Sequence, residues 1–403
     1  MIGTDTLIGC RYCGLVQQAP ATQARGSVHC RRCDGLLEKQ KRPGNQAALA
    51  LSIATLLLLF PANLLPMLRV DILGHTNRSL IFSGVAGFWR QDWPIVACIV
   101  GLELILLPFL RFGLLVAVLA SARCGVRAAW MGPAFRWSEM LDRWALLDVF
   151  LFGAVIGYAR VAPFFPVRIE AGGDCVVAVA VLTVIVRAAL QRGEVWRQIG
   201  STAGGGEAKL IACPACELPV DAAEEGRRCP RCRAKVWSYR PYSAMRAMAL
   251  TLAAIALFPA AYAYPMQYSE RLNTMVGYSI MTGVTELVHA HLWYFAAVIF
   301  LFSVVTPLLK LVAMAWFFIS IHRRSSARLR FKARLYRLLH GIGRWSHIDV
   351  FIVSVFLPLM EFRGFLSVIV GWALPAFLGV VVLTTLGTEV FDPRMLWRFD
   401  SRA

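Results

Sequence analysis

Charge is sparse in this sequence, and acid sparser still. Of 403 residues only 16% are charged, and the 24 acidic side chains face 42 basic ones. A chain this poor in charge and 58% apolar is no solvated tail or disordered linker. Three signatures of chemistry are missing too. There is no G-x-x-x-x-G-K-S/T phosphate loop, no G-x-S-x-G turn and no H-E-x-x-H pair, so neither nucleotide hydrolysis nor the common hydrolytic reactions are indicated. The chain is expected not to be an enzyme. No secretory leader precedes its first apolar run, 47–66, which is expected to be an uncleaved span and the insertion signal.

What is present is hydrophobic length. With a mean hydropathy of +0.59 the chain reads as an α-helical polytopic membrane protein. The net charge of +18 might suggest nucleic acid, but its distribution argues against that. Most Lys and Arg fall in the N-terminal tail, around 123–143, in a middle island, in 323–344 and in the C-terminal tail. The alternate loops hold few, such as Arg69, Arg78 and Arg90, or Arg271 alone. That alternation is a topology signal, with the basic segments, both termini and the island expected in the cytoplasm, where anionic headgroups are a second partner.

Eight of the eleven cysteines come as C-x-x-C pairs: Cys10/Cys13 with Cys30/Cys33, and Cys213/Cys216 with Cys229/Cys232. In a reducing compartment two such pairs supply four thiolates to one tetrahedral metal. Zinc is expected; iron uses the same four thiolates and stays open. Gly14 and Gly35 suit the tight turns beside the sulfurs. Cys98, Cys124 and Cys175 have no partners at ligand spacing and are expected to be packing residues.

The second cysteine set begins a second copy of the chain. At an offset of about two hundred, Phe60-Pro61-Ala62 meets Phe258-Pro259-Ala260, with one inserted residue after it, and Pro66-Met67 meets Pro265-Met266. Gly84 meets Gly283, Arg111 meets Lys310, and R-W-x-x-L/I-D-V-F recurs at 143–150 and 344–351. The expected domains are a ribbon at 1–42, a four-helix module at 43–200, a ribbon at 205–240 after the Gly204-Gly205-Gly206 linker, and a second module at 241–403. The eight spans expected are 47–66, 93–120, 143–161, 174–192, 243–265, 292–319, 346–362 and 365–387. Hairpins outside the membrane are expected at 67–81 and 267–281, and an interfacial helix at 83–92.

An ionisable group at mid-membrane costs roughly 2.5 kcal/mol or more, so it normally faces protein or water and normally matters. Arg111 and Asp148 in the first module correspond to Lys310 and Asp349 in the second, where Ser303, Ser346, Thr384 and Thr385 add hydroxyls. Lys310 and Asp349 facing each other could relay a proton. Alternatively, Arg111 and Lys310 snorkel, and each Asp pairs with the Arg of its own R-W segment. Glu103 and Glu361 have no acidic counterparts.

The whole chain resembles the paraquat-inducible protein A family of Gram-negative inner membranes, LetA-type members included. The resemblance rests on the tandem four-cysteine ribbons each followed by four spans, on Phe60-Pro61-Ala62-Asn63 with Pro66-Met67, on the two R-W repeats, and on Phe391-Asp392-Pro393-Arg394 with Trp397. It implies an inner-membrane partner of a periplasmic MCE-domain protein that moves phospholipid between membranes, with tetraspanin- or claudin-like bundles bearing small external sheets. It also implies that Ser303, Lys310, Ser346, Asp349 and Thr384 form the polar cluster of the second module. The second copy reads Phe258-Pro259-Ala260-Ala261, which leaves Asn63 without an obvious counterpart. A stand-alone proton-coupled exporter and a non-transporting scaffold are the competing readings.

Overall fold

Proline and apolar length set the boundaries of the long helices. The computed structural model describes residues 6–19, 26–40, 45–72, 75–162, 165–200, 210–271, 274–360 and 366–399. The glycine linker at 204–206, Glu361 and the expected span ends at 362 and 365 lie outside these residues.

The first ribbon holds two hairpins, β1 (Thr6–Gly9) with β2 (Val16–Ala19) and β3 (Gly26–His29) with β4 (Leu36–Gln40). Next, α1 (Gln46–Leu64) is apolar all round, and its Ser52 and Thr55 hide their hydroxyls on carbonyls one turn back at 2.6 and 2.7 Å. It stops where Pro66 cannot continue a helix. The expected hairpin follows as β5 (Leu68–Ile72) and β6 (His75–Ser79), then α2 (Ile81–Arg90), α3 (Pro94–Gly101) and α4 (Leu107–Arg123). Between α3 and α4 a π-turn, Leu102–Leu106, keeps the span continuous.

The basic loop expected at 121–142 contains a helix, α5 (Met131–Leu141), whose apolar face the sequence reading passed over. Then come α6 (Leu147–Val161), β7 (Val167–Ile169), α7 (Ala171–Ala189) and α8 (Arg192–Ile199). The second half repeats this order. Its ribbon has β8 (Leu210–Ala212) and β9 (Pro219–Asp221), and its module begins with α9 (Ser243–Ala263), β10 (Gln267–Arg271) and β11 (Thr274–Tyr278). After α10 (Ile280–His289) and α11 (Trp293–Ile299), a second π-turn at Phe300–Val305 leads into α12 (Thr306–His322). The chain continues through α13 (Leu329–Ile342), α14 (Ile348–Leu359), β12 (Leu366–Val370) and α15 (Ala373–Val390).

Each half carries a three-stranded antiparallel sheet, ordered β6-β5-β7 and β11-β10-β12. The third strand of each comes from beyond the R-W segment, which ties the end of the module to its beginning. The free edge of β12 is capped by the other half: Gln91 donates to the Val368 carbonyl at 2.8 Å and accepts from the Val370 amide at 2.7 Å.

Among the described residues, seven helical stretches are long and apolar enough to cross a membrane, one of them being α13 and α14 taken together, Leu329–Leu359. The eighth expected span, α6, has 15 residues, about 22 Å of helix. That is short of the roughly 30 Å hydrocarbon core. Both third helices begin inside their R-W motifs, four residues after the Arg, and the Arg-Trp stretch before them reaches partners in the other half. They also sit at the molecular centre, where α14 is buried along its whole length and packs on α6 and α2. The outer pairs α1–α7 and α9–α15 close the flanks.

Candidate functional site

The ribbons fold as the cysteine spacing predicts. In the first, the sulfurs of Cys10 and Cys33 lie 3.6 Å apart and those of Cys13 and Cys30 lie 3.5 Å apart; in the second, Cys213–Cys232 and Cys216–Cys229 are both 3.6 Å. All four sulfurs in each set fall within 4.8 Å of one another and all eight cysteines are buried. A tetrahedral metal with metal–sulfur bonds near 2.3 Å requires sulfurs about 3.8 Å apart, so each set fits a metal ion. The residue after the second cysteine of every knuckle takes the left-handed conformation: Gly14, Asp34, Glu217 and Arg233. Gly14 answers that requirement; Gly35 does not, since Asp34 carries the turn. Of the three expected packing residues, half-buried Cys175 packs against the core, whereas Cys98 and Cys124 are exposed.

Each ribbon reaches across to the other half. Arg337 of α13 donates to the Cys33 carbonyl at 3.2 Å, while Gly132 of α5 lies so close to the Arg231 carbonyl that a Cβ there would sit 1.8 Å away. Arg394 of the C-terminal tail fastens the ribbons together, donating to the carbonyls of Ala212 and Trp237 at 3.0 and 3.2 Å and of Arg11 at 3.4 Å.

Most of the buried charges of the first module form one ion network, from which Glu103 stands apart and in which Asp148 Oδ1 has no hydrogen-bond partner. Arg111 pairs with Asp142 at 2.6 Å, Arg187 with Asp142 at 2.8 Å and with Asp148 at 2.7 Å, and Arg344 from the second half also pairs with Asp148. The Arg of each R-W motif therefore serves the opposite half, since Arg143 pairs with Glu389 of α15. Burial works against the charged form of Asp142, but Arg111 and Arg187 outweigh it and hold its carboxyl below the ordinary range.

The second module is arranged differently at the same places. Lys310 is fully buried and donates to the Thr385 hydroxyl at 3.0 Å and the Gly343 carbonyl at 3.2 Å. It makes no ion pair with Asp349 among the described residues, so the direct Lys–Asp relay is absent. Asp349 instead faces Ser303 without reaching hydrogen-bond geometry. Ser303 Oγ, Ser346 Oγ and Asp349 Oδ2 are buried with no hydrogen-bond partner among the described residues. Thr384 lies buried on α15 and bonds its own helix at 3.1 Å.

The π-turn explains why Ser303 is special. Pro307 has no N–H, so the Ser303 carbonyl four residues back loses its helical donor. The Tyr262 hydroxyl takes that place. With the inserted residue counted, Tyr262 stands where the first half has Asn63. Asn63 turns inward on its own helix, donating to the Leu59 carbonyl at 2.8 Å.

Sequence reading missed one pairing altogether. Glu103 of the first π-turn and His347 at the start of α14 are 2% and 1% exposed, and Glu103 Oε1 lies 3.2 Å from His347 Nε2. Neither Glu103 oxygen has a hydrogen-bond partner in good geometry. The missing counterpart of Glu103 in the second repeat was the only signal.

The whole chain can now be set against known proteins. The family model for Paraquat-inducible protein A matches residues 45–200 and again 244–399, one copy per half. The chain belongs to that family. It is 27% identical over 399 residues to the "Lipophilic envelope-spanning tunnel protein A" of Escherichia coli strain K12, covering 96% of this chain and 90% of that one. The "Intermembrane transport protein PqiA" of the same strain is 24% identical over 401 residues (96% and 94%), and a "Probable intermembrane transport protein" of Haemophilus influenzae 22% over 416 residues (98% and 97%). No solved structure matches the chain. Family, spans and buried polar groups together make this a multi-pass membrane protein.

Proposed function

We propose that this chain is the inner-membrane component of an intermembrane phospholipid transport system, passing lipid between the inner membrane and a periplasmic MCE-domain tunnel protein. One observation carries the reading: a set of buried, under-satisfied polar groups, Ser303, Ser346 and Asp349 with Lys310 and Thr384 nearby, in one module of a chain whose relatives bear intermembrane-transport names. Buried polar atoms left without partners cost stability, and proteins keep them where function uses them. The ion network of the first module gives that half the role of a fixed frame.

In this reading the second module opens to take a lipid headgroup, and the loose hydroxyls and Asp349 supply the polar contacts that the headgroup needs in passing. Protonation of Asp349 would bias the opening; Lys310, anchored separately by Thr385 and Gly343, holds the ends of α12, α13 and α15 in register. Zinc in the two ribbons is structural, fixing the cytoplasmic ends of both halves. The ribbons and both termini lie in the cytoplasm and the two small sheets face the MCE partner.

The test is complementation of an envelope-permeability defect by Asp349→Asn and Lys310→Met, with membrane abundance and zinc per chain measured on the same samples. Loss of complementation at normal abundance, followed by loss of lipid transfer to the MCE protein in vesicles, is expected. Full complementation by both variants would remove the working cluster and leave a scaffold. Transport by this chain without any MCE protein would make it a stand-alone exporter.

A further inference from the structure

Beneath the ribbons lies a half-open cavity of about 1070 Å³. Its roof is ribbon, from Arg11 and Tyr12 to Lys235 and Trp237; its floor is the ribbon-side ends of α4, α7, α9, α13 and α15. It is separate from the Ser303–Asp349 cluster, neither residue of which lines it. Eleven of the side chains around it are Arg or Lys and four are acidic.

Those cations divide into two groups. Seven are committed: Arg111, Arg143, Arg187 and Arg344 to the networks described above, Arg11 to Glu217 at 2.5 Å, Arg192 to Glu139, and Arg394 to the ribbon carbonyls. Four are not. Arg136, Lys235, Arg240 and Arg246 have no acidic partner among the described residues, and the last three are exposed at the mouth. Deeper in, Arg394 is 2% exposed and lines the cavity with its Nη2 unpartnered. A chamber lined by eleven cations and four acids, with four of the cations lacking an acidic partner among the described residues, calls for an anion with several acceptor oxygens.

We infer that this ribbon-side chamber is a binding site for a phosphate-bearing anion, supplied as the headgroup of an anionic phospholipid of the adjoining leaflet. Arg–phosphate recognition fits the side chains present, which are ten Arg to one Lys. The mouth favours a lipid source over a soluble one. Arg246 lies on the first turns of α9, where that span enters the bilayer, beside Tyr242 and Met245, which are 68% and 58% exposed. Acyl chains can lie on that apolar rim while the phosphate enters between Lys235, Arg240 and Arg246. The chamber also touches both ribbons and both networks, so an anion there bears on the frame of both halves.

The test uses the full chain in detergent and the triple variant Lys235→Gln, Arg240→Gln, Arg246→Gln, whose side chains are exposed and unpaired and so carry little of the fold. Native mass spectrometry measures retention of dioleoyl-phosphatidylglycerol and of net-neutral dioleoyl-phosphatidylcholine; thermal midpoints are read with and without inorganic pyrophosphate. Losing three charge-assisted hydrogen bonds predicts a fall of about tenfold or more in phosphatidylglycerol retention with phosphatidylcholine unchanged. If pyrophosphate raises the midpoint of the natural chain but not of the variant, and lipid retention is equal in both, the site takes a soluble phosphate instead. Equal phosphatidylglycerol retention with no pyrophosphate effect in either protein overturns the site. Should the triple variant lose its metal, Arg246→Gln alone and the pyrophosphate shift of the natural chain decide between the same outcomes. None of these readouts depends on transport, so failure here leaves the lipid-transport reading standing and its failure leaves this one.

Discussion

The two modules share one sequence plan and treat charge in opposite ways. In the first, Arg111, Asp142, Asp148 and Arg187, with Arg344 from across the interface, are held by four ion pairs, and only Asp148 Oδ1 among them stays buried without a hydrogen-bond partner. In the second, Lys310 rests on neutral acceptors and Asp349, Ser303 and Ser346 keep atoms without partners. The change comes from few positions: the first copy has Asp142 and Arg187 where the second, at the offset of the R-W motifs, has Gly343 and Thr388. Such an ion network resists change because any movement exposes several buried charges at once. A half-satisfied cluster can gain contacts by moving, which under the proposed function makes the first copy the frame and the second the part that opens.

The sharpest way to break that comparison is one substitution at equivalent places. Asp148→Asn strands Arg344 and leaves Arg187 with Asp142 alone, and is expected to cost about 3–5 kcal/mol, seen as a large fall in membrane abundance and thermal midpoint. Asp349→Asn is expected to shift stability within about 1 kcal/mol while abolishing transport. Equal destabilisation by the two would show that the modules do not differ as described. The network should also be indifferent to neutral pH. With the folded pKa of Asp142 depressed, its contribution is complete above the unfolded carboxylate value near 3.9 and fades only as pH falls through the lower folded value, so thermal midpoints of Asp349→Asn should be flat from about pH 6 to 8.

A smaller contrast is expected one layer out. Arg111→Met leaves Asp142 with Arg187 alone, at about 2–3 kcal/mol. Lys310→Met removes a buried ammonium held only by a hydroxyl and a carbonyl; methionine fills the same space, and stability should change by about 1 kcal/mol or less while complementation fails. Thermal midpoints of the purified pair would separate a network member from a lone charge.

The seams between halves differ too. On one, Gly84 and Gly87 of α2 press on Ser354 and Leu357 of α14, and a Cβ on Gly84 would come within 2.4 Å of the Ser354 carbonyl. On the other, Gly283 of α10 meets only the tip of the Arg160 side chain, 3.1 Å from a Cβ, and Glu286 stands where the first half has Gly87, 3.6 Å from that guanidinium. Gly84→Ala is expected to cost about 1–2 kcal/mol and Gly283→Ala under about 0.5, because an arginine tip can move and a helix backbone cannot. Equal midpoint losses would mean that the α6–α10 seam is as tight as its counterpart.

Most of the architecture was legible in the sequence because it rests on repetition: eight cysteines at metal spacing, two Phe-Pro-Ala breaks and two R-W motifs at one offset. What was hidden depends on contacts across the halves. Arg344 belongs to Asp148 and Arg143 to Glu389, although each Arg lies five residues from an Asp in its own copy; helical spacing could not show that the R-W segments turn away from their own modules. The amphipathic α5 and α13 were lost inside basic loops because their charge outweighs their apolar stripe. A Lys310–Asp349 relay was one of two readings of the cluster; Thr385 was among its hydroxyls, but the sequence could not show that Thr385 and the Gly343 carbonyl already satisfy the lysine.

Glu103 is the exception that refines the comparison. It belongs to the first copy by sequence, but it takes no part in the ion network, and its π-turn delivers it to His347 at the start of the second copy's central helix. The residue before His347 is Ser346, and Asp349 is two residues after it, so Glu103 lies next to the cluster although it comes from the frame. If position in the cluster governs its role, Glu103→Gln should resemble Asp349→Asn: abundance normal, midpoint within about 1 kcal/mol, lipid transfer impaired. If membership of the first module governs, it should resemble Asp148→Asn and lose abundance. Glutamine keeps the shape and an acceptor oxygen toward the imidazole while removing the charge, so lipid transfer measured at matched abundance separates a charge that works from one that only fills its place.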